Sequence, residues 1–202
     1  MRMINPTILT KGAHGYSECC LSSLELQKHN IWLTGEVTSD LAISIIRQLV
    51  AVSSDGNPTP ISIFISTNGG SAEAGFAIYD AIKLSSKPVY TYVVDKAYSV
   101  GAAILLAGSK RFIFPHGKVM IHRACQCNSQ FSNADSIEKA SKELRECESQ
   151  YIDIISENTS QKASKVKKDI AYDHFFNATE ALNYGFVHAI VDVDTLTPKK
   201  EV

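Results

Sequence analysis

The chain of 202 residues lacks the features that mark membrane, secreted and nucleic-acid-binding proteins. No apolar run approaches the roughly 18 residues that cross a bilayer, and the N-terminus has neither the apolar core nor the cleavage site of a signal peptide. The formal net charge of −1 offers no electrostatic attraction for nucleic acid or anionic lipid. These absences favour a cytoplasmic protein with no nucleic-acid partner and no membrane partner.

Disulfide and nucleotide-binding signals are also missing. The five cysteines are odd in number and show no disulfide framework, which fits a reducing compartment. Cys125 and Cys127 lie near His116 and His122, but no Cys-x-x-Cys pair supports a metal site there. The sequence has no Walker-type Gly-x-x-x-x-Gly-Lys-[Ser/Thr] loop. We therefore expect no metal, no bound cofactor and no ATP hydrolysis by this chain.

Strand-like and helix-like segments alternate from about residue 21, which predicts an α/β protein with a largely parallel sheet. Apolar runs predict strands over 30–34, 61–65 and 89–94. Helical spacing predicts a helix capped by Ser39 and Asp40, and a second helix over 75–84. Residues 1–20 form a polar arm without a sustained period.

A long helix is predicted over 133–157. Its apolar positions recur at intervals of three and four and form a narrow seam: Ile137, Ala140, Leu144, Cys147, Tyr151 and Ile154. Such a seam with charged flanks is typical of a helix that projects and packs on a like helix. A helix that lies on its own sheet is the alternative.

Ser99 stands between an apolar strand and a helix of small residues. A serine at such a turn has its hydroxyl lifted off the sheet, beside the free N–H groups of the helix. His122 and Asp173 follow in the chain, and they supply a base for the hydroxyl and a carboxylate that orients the base. The order Ser, His, Asp favours a hydrolase.

Gly69 and Gly70 directly follow the predicted strand over 61–65. Paired glycines let the backbone approach another chain closely and turn its N–H groups outward, where they can hold a developing oxyanion. A plain strand-to-helix turn is the alternative. The position adds weight, because the loops after consecutive parallel strands meet at one edge of the sheet.

Four segments resemble ClpP, the proteolytic subunit of the ATP-dependent Clp protease. They are residues 68–80 with Gly-Gly, Ala-Gly and Ile-Tyr-Asp, the turn at 97–102, the segment 111–122 ending in Met-Ile-His, and residues 173–187. The resemblance runs in order from about residue 4 to residue 193. It implies a ClpP/crotonase-like α/β fold in a single domain over 1–202. Residues 1–20 would be an arm, 21–123 and 171–195 a head of repeated strand–helix units, and 124–170 a protruding handle.

The resemblance implies that Ser99 is the nucleophile, His122 the general base and Asp173 its orienting carboxylate. It also implies that the backbone N–H groups of Gly70 and Val100 form the oxyanion hole. The stretch 124–129 would be an edge strand that pairs with the substrate backbone. The residues expected to line the substrate strand are Ser71, Ala124 and Cys125.

The resemblance further implies two stacked heptameric rings, formed by this chain alone or together with a second ClpP. Unfolded polypeptide would be the substrate, and an AAA+ unfoldase of the Clp type would hydrolyse the ATP. Ser62 stands where the family has an aromatic of the unfoldase-docking site, which leaves Phe64, Tyr92 and Phe114 as candidates.

Three further departures concern the site itself. Asn68 and Ala124 replace prolines of the family, and Tyr172 replaces an arginine that couples ring contacts to the active site. They keep open a weakly active or structural subunit of a mixed ring. A crotonase-like acyl-CoA enzyme is the third hypothesis, since that fold also uses Gly-Gly oxyanion donors.

Overall fold

The computed structural model describes residues 6–12, 15–125 and 133–192. The first two elements form an antiparallel hairpin, β1 (Thr7–Gly12) and β2 (Gly15–Cys20). The segment predicted only as a polar arm thus contains two strands within the described residues. Most of the hairpin side chains are exposed. The sequence therefore has no alternation of apolar and polar residues that would predict these two strands.

The rest of the described chain alternates helices and strands. The first half contains α1 (Leu21–Gln27), β3 (Asn30–Thr34), α2 (Ser39–Ser53), β4 (Ile61–Thr67), α3 (Ala72–Lys83), β5 (Val89–Tyr98), α4 (Val100–Leu106) and β6 (Lys110–Ile113). The second half contains β7 (Lys118–Ile121), α5 (Ala134–Thr159), α6 (Ala163–Asp169), β8 (His174–Asn177), α7 (Ala178–Tyr184) and β9 (Ala189–Ile190). Among all the helices described, from α1 to α7, none combines the length and apolarity needed to span a membrane.

The main sheet branches at its central strand, β5. Strands β3, β4, β5, β6 and β9 follow one another in parallel. The last three residues of the long β5 instead pair in parallel with β7, and β7 pairs antiparallel with β8. This branch places the ends of β5, β7 and β8 next to one another. The predicted α/β class with a largely parallel sheet is confirmed.

The core lies between one face of the sheet and the helices packed on it. Ile61, Ile63 and Ile65 of β4 are fully buried and alternate with partly exposed residues. Every residue of α4 is buried, as expected for a helix that is apolar all round. Since α4 is enclosed, the turn that leads into it is held in place by the core.

The opposite face of the sheet carries a row of four aromatic rings, which we call the aromatic ladder: Trp32, Phe64, Tyr92 and Phe112. They are direct neighbours across β3, β4, β5 and β6. Successive ring centroids lie 4.7, 5.0 and 4.8 Å apart in stacked arrangements. Trp32, at the end of the ladder, is 44% exposed.

Helix α5 confirms the predicted long helix and shows that its two halves differ. Tyr151, Ile152 and Ile155 in the C-terminal half are buried, where α5 contacts α4 and α6. Ile137 in the N-terminal half is exposed. Ile152 and Ile155 lie outside the predicted seam, because packing against two helices buries a wider face. Packing on a like helix, and the division into arm, head and handle, stay predictions.

Several element boundaries differ from the predicted ones. The side chain of Thr38, rather than Ser39 or Asp40, caps α2 by accepting a hydrogen bond from the Leu41 N–H. Helix α3 begins at Ala72, with Ser71 as its N-cap. Strands β4 and β5 extend to Thr67 and Tyr98. The two strand extensions bring the sheet to the residues that form the candidate site.

Candidate active site

Strand pairing brings Ser99, His122 and Asp173 to one edge of the sheet. Ser99 follows β5, His122 follows β7 and Asp173 precedes β8. The last parallel pair of β5 and β7 is Tyr98 with Met120. The last antiparallel pair of β7 and β8 is Ile121 with His174, so the register continues to His122 and Asp173. The three predicted residues therefore meet although 74 positions separate the first from the last in the chain.

Ser99 adopts a backbone conformation that side chains rarely take, with φ 54° and ψ −127°. Such a conformation costs about 1–3 kcal/mol and persists where the surroundings hold it. The Ser99 N–H donates to the Met120 carbonyl of β7 at 2.8 Å, and α4 behind the turn is buried. This backbone conformation directs the Ser99 hydroxyl away from the sheet and toward His122.

The contacts within the three residues are unequal. His122 Nε2 and Ser99 Oγ are 2.8 Å apart, at hydrogen-bond distance. His122 Nδ1 and Asp173 Oδ1 are 3.9 Å apart, which is an ion-pair distance but too long for a hydrogen bond. The Asp173 side chain is 65% exposed. His122 is thus within hydrogen-bond distance of Ser99, whereas the Asp173 carboxylate is mostly exposed and lies beyond hydrogen-bond distance of His122.

The glycine loop after β4 presses against both Ser99 and the segment before α2. Gly69 and Gly70 have φ values of 96° and 150°. A Cβ on Gly69 would lie 2.7 Å from Ser99 Cβ, and a Cβ on Gly70 would lie 2.4 Å from the Val37 carbonyl oxygen. Only glycine fits these positions without a shift.

Two backbone N–H groups in this loop and turn are positioned to donate. Val37 donates its N–H to Gly69 and accepts from Ser71, so the N–H of Gly70 between them faces away from Val37. Val100 is the first residue of α4, where the N–H has no acceptor within the helix. Gly70 and Val100 both line the cavity that holds Ser99.

This cavity has a volume of about 470 Å³. Seven of its lining residues were predicted for the site: Gly70, Ser71, Ser99, Val100, His122, Ala124 and Cys125. Asn68, noted in the sequence as a departure at the site, also lines it, and six further lining residues were not predicted: Glu36, Ala72, Phe76, Leu144, Cys147 and Tyr151. The α5 members among them, at 144, 147 and 151, follow helical spacing, and the same spacing had predicted only a packing seam.

The predicted edge strand over 124–129 is not a strand where the structure describes it. Strand β7 ends at Ile121, and Ala124 and Cys125 are irregular. Residues 126–129 lie outside the described part of the chain. Among residues 6–12, 15–125 and 133–192, Ala124 and Cys125 belong to no strand.

Cys147 is one of two cysteines that line the cavity, and its electrostatics disfavour reactivity. Burial raises the pKa of the Cys147 thiol, and the negative charges of Glu73 and Glu148 raise it further. The reactive form of cysteine is the thiolate, and the raised pKa keeps the Cys147 thiol protonated and unreactive in the cavity that holds Ser99. Within the described residues no three potential ligands are grouped to hold a metal ion, and Cys127 of the metal hypothesis lies outside them.

Tyr151 is the contact to the site that sequence reasoning missed. Its hydroxyl donates to the Ser99 backbone carbonyl at 2.8 Å. Burial raises the pKa of Tyr151 far above its usual value, so the hydroxyl remains a donor. A tyrosine within an apolar seam was the available signal, because a buried tyrosine hydroxyl needs an acceptor.

Comparison with known proteins gives consistent matches. A family model described as Clp protease matches residues 15–194. Two curated relatives from Prochlorococcus marinus, strains MIT 9312 and CCMP1986 / NIES-2087 / MED4, are both named ATP-dependent Clp protease proteolytic subunit 2. Each is 37% identical over 163 residues, which cover 80% of this chain and 80% or 81% of the relative.

A solved structure of a ClpP1 variant from Listeria monocytogenes is also similar, with a TM-score of 0.79 and 30% identity. It covers 88% of this chain and 99% of that chain. The range matched by the family model, 15–194, includes the segments that bring Ser99, His122 and Asp173 together. The α/β fold described above is therefore that of ClpP.

Proposed function

The chain belongs to the Clp protease family, and from this membership we propose that it is the serine endopeptidase subunit of a self-compartmentalised, ATP-dependent protease. The observation that carries the proposal is the 2.8 Å contact between Ser99 Oγ and His122 Nε2 inside the cavity. The substrates are unfolded polypeptides and short peptides. No cofactor takes part in the reaction of this chain.

The chemistry follows from the atoms that face each other. His122 Nε2 takes the proton of Ser99 Oγ as that oxygen attacks the carbonyl carbon of the scissile peptide bond. The carbonyl oxygen becomes an oxyanion and accepts hydrogen bonds from the N–H groups of Gly70 and Val100. Each such donor contributes about 3 kcal/mol to transition-state stabilisation.

The proton then goes to the leaving group. His122 donates it to the amide nitrogen, the C–N bond breaks and an acyl ester on Ser99 remains. Water hydrolyses the ester with His122 as base. Asp173 holds the Nδ1–H tautomer of His122 and stabilises the imidazolium. Its carboxylate is exposed, so the distance of 3.9 Å can shorten to a hydrogen bond by side-chain rotation.

The test is hydrolysis of a short fluorogenic peptide by the purified protein and by Ser99→Ala, with particle size measured on the same samples. Activity that vanishes in Ser99→Ala supports the proposal. A control variant, Ser54→Ala on the surface after α2, should hydrolyse the peptide at the wild-type rate. Equal hydrolysis by the wild type and Ser99→Ala would overturn Ser99 as the nucleophile.

A second candidate function rests on the long contact between His122 and Asp173. A weakly active or structural subunit of a mixed ring would tolerate a loosely held carboxylate. A large particle that neither hydrolyses the peptide nor reacts with a phosphonate probe at Ser99 would favour this second candidate. Mixing with a second ClpP would then be the next experiment. An acyl-CoA enzyme is disfavoured, since such an enzyme would not need Ser99, His122 and Asp173 together.

We further propose stacked heptameric rings and an AAA+ unfoldase of the Clp type as partner. The exposed N-terminal half of α5 supports contacts between rings, and the aromatic ladder supports docking of an apolar segment of the unfoldase. Ser62, the departure noted in the sequence, lies on β4 between the buried Ile61 and Ile63. Phe64 is partly exposed on the same strand, whereas Tyr92 is buried and Phe114 lies beyond the end of β6.

A further inference from the structure

Tyr151 reaches the candidate nucleophile from a different layer of the molecule. It lies on α5, 52 positions after Ser99, and its hydroxyl donates to the Ser99 carbonyl at 2.8 Å. The residue is only 6% exposed, so water is not available to replace this acceptor. One turn of α5 before it, Cys147 lines the same cavity. The C-terminal half of α5 therefore lines the cavity and also hydrogen-bonds the Ser99 backbone.

The Ser99 peptide groups are held by three hydrogen bonds from three elements. The N–H of Ser99 donates to Met120 of β7, and its carbonyl accepts from Ala102 of α4 at 2.9 Å and from Tyr151 of α5. The bond from Ala102 closes the first turn of α4 and moves with it. The bond from Tyr151 fixes that turn relative to a separate helix. Such support is what a strained φ of 54° requires.

The planarity of the peptide bond links the Tyr151 contact to the oxyanion hole. The carbonyl of Ser99 and the N–H of Val100 belong to one rigid trans peptide unit and point in opposite directions. A donor that fixes the carbonyl on one side therefore fixes the direction of the N–H on the other. The Val100 N–H is one of the two proposed oxyanion donors, and it lines the cavity.

We propose that Tyr151 is a positioning residue that aims the Val100 N–H at the oxyanion by holding the Ser99 carbonyl. This inference rests on the proposed peptidase function. It makes α5 part of the catalytic support, so that a displacement of the C-terminal half of α5 rotates the Ser99–Val100 peptide. The hydroxyl acts through the peptide whose carbonyl it binds.

The variant that tests this role is Tyr151→Phe, which removes one oxygen and leaves the packing of the ring. We expect kcat for a fluorogenic peptide to fall about threefold to tenfold, the range that one neutral hydrogen bond supports, while KM stays within about twofold. Affinity for a peptide aldehyde should fall by the same factor as kcat, because its adduct on Ser99 places an oxygen in the oxyanion hole.

The matched control is Tyr184→Phe. Tyr184 is 8% exposed, and its hydroxyl donates to Asp169 at 2.6 Å, so the variant also removes one buried hydroxyl. Thermal unfolding of both variants measures the structural cost. Only Tyr151→Phe should change kcat and aldehyde affinity. If the two variants lose stability equally and keep wild-type kcat, Tyr151 is structural and the inference is overturned, with the peptidase proposal intact.

Amide hydrogen exchange of residues 97–103 provides a readout that needs no activity. We expect faster exchange in Tyr151→Phe than in the wild type and in Tyr184→Phe, because the turn loses its support from α5. If the wild type hydrolyses no peptide, the peptidase proposal fails, and exchange still decides the role of Tyr151. Faster exchange in that case supports the positioning contact, and unchanged exchange overturns it.

Discussion

Replacement of Gly70 by alanine tests the oxyanion hole directly. The φ of Gly70 is 150°, and a Cβ there would meet backbone atoms of Val37, with the carbonyl oxygen 2.4 Å away and the nitrogen 2.8 Å away. We expect Gly70→Ala to lower kcat for a fluorogenic peptide by about 100-fold, with a small change in KM. The measurement is steady-state hydrolysis on particles whose size matches the wild type.

The magnitude follows from the shift that the methyl group forces. Real Cβ atoms essentially never lie closer than 3.0 Å to such a neighbour, so the loop and Val37 must move apart by 0.6 Å. Val37 is itself fully buried, which directs most of the movement into the glycine loop. A displacement on the order of 1 Å at a positioned group costs about 100-fold in rate, and complete loss of one oxyanion donor costs about 100- to 1000-fold.

The control for this variant is Gly56→Ala. Gly56 also has a positive φ, at 74°, but a Cβ there meets nothing within 4 Å. It lies in the loop after α2, so its alanine variant carries the backbone strain without the steric shift at the site. Wild-type kcat in Gly70→Ala, with intact particles, would refute the assignment of the Gly70 N–H as an oxyanion donor.

Three further variants test other parts of the structure. Lys87, the Asn57 N–H and His29 hold the pKa of Asp55 well below its usual range. The ionised Asp55 carboxylate therefore stabilises the folded state at neutral pH, and Asp55→Asn should lower the melting temperature there. As pH falls below about 4, Asp55 becomes protonated in the unfolded chain before it does so in the folded one. The difference in melting temperature between the variant and the wild type should therefore shrink. Arg111 donates to three backbone carbonyls while buried, so Arg111→Met should lower the free energy of unfolding by about 3 kcal/mol in urea titrations. Phe64→Ala should reduce ATP-dependent protein degradation with a Clp-type unfoldase and leave hydrolysis of short peptides unchanged, since the aromatic ladder lies on the sheet face opposite the core.

The parts of the fold that sequence reasoning predicted are those in which local pattern and burial agree. In β4 the isoleucines at alternate positions are all buried, and the strand is found where alternation predicts it. Helix α5 likewise appears over the predicted range because its spacing and caps are local. The β1–β2 hairpin escaped prediction since its partners are held by backbone hydrogen bonds while its side chains remain exposed.

For the candidate site, the sequence predicted which residues take part but not the distances between them. Short motifs identified Ser99, His122 and Asp173 because each stands at the end of a strand with recognisable neighbours. Their separations depend on the register of β5 with β7 and of β7 with β8. Register is a tertiary property that no single strand encodes. The unequal distances of 2.8 and 3.9 Å around His122 therefore had no counterpart in the sequence.

Tyr151 shows that a periodic apolar pattern can miss a polar contact made by one of its members. The helical spacing groups Tyr151 with the apolar residues Leu144 and Cys147, and it correctly predicts that the tyrosine ring is buried. Burial of the ring, however, obliges the hydroxyl to find an acceptor, and the regular carbonyls of α5 are already bonded within the helix. The acceptor comes from the turn before α4, a helix that α5 contacts. The Ser99 carbonyl at the start of α4 meets that requirement, so the same burial that stabilises α5 also connects it to the nucleophile.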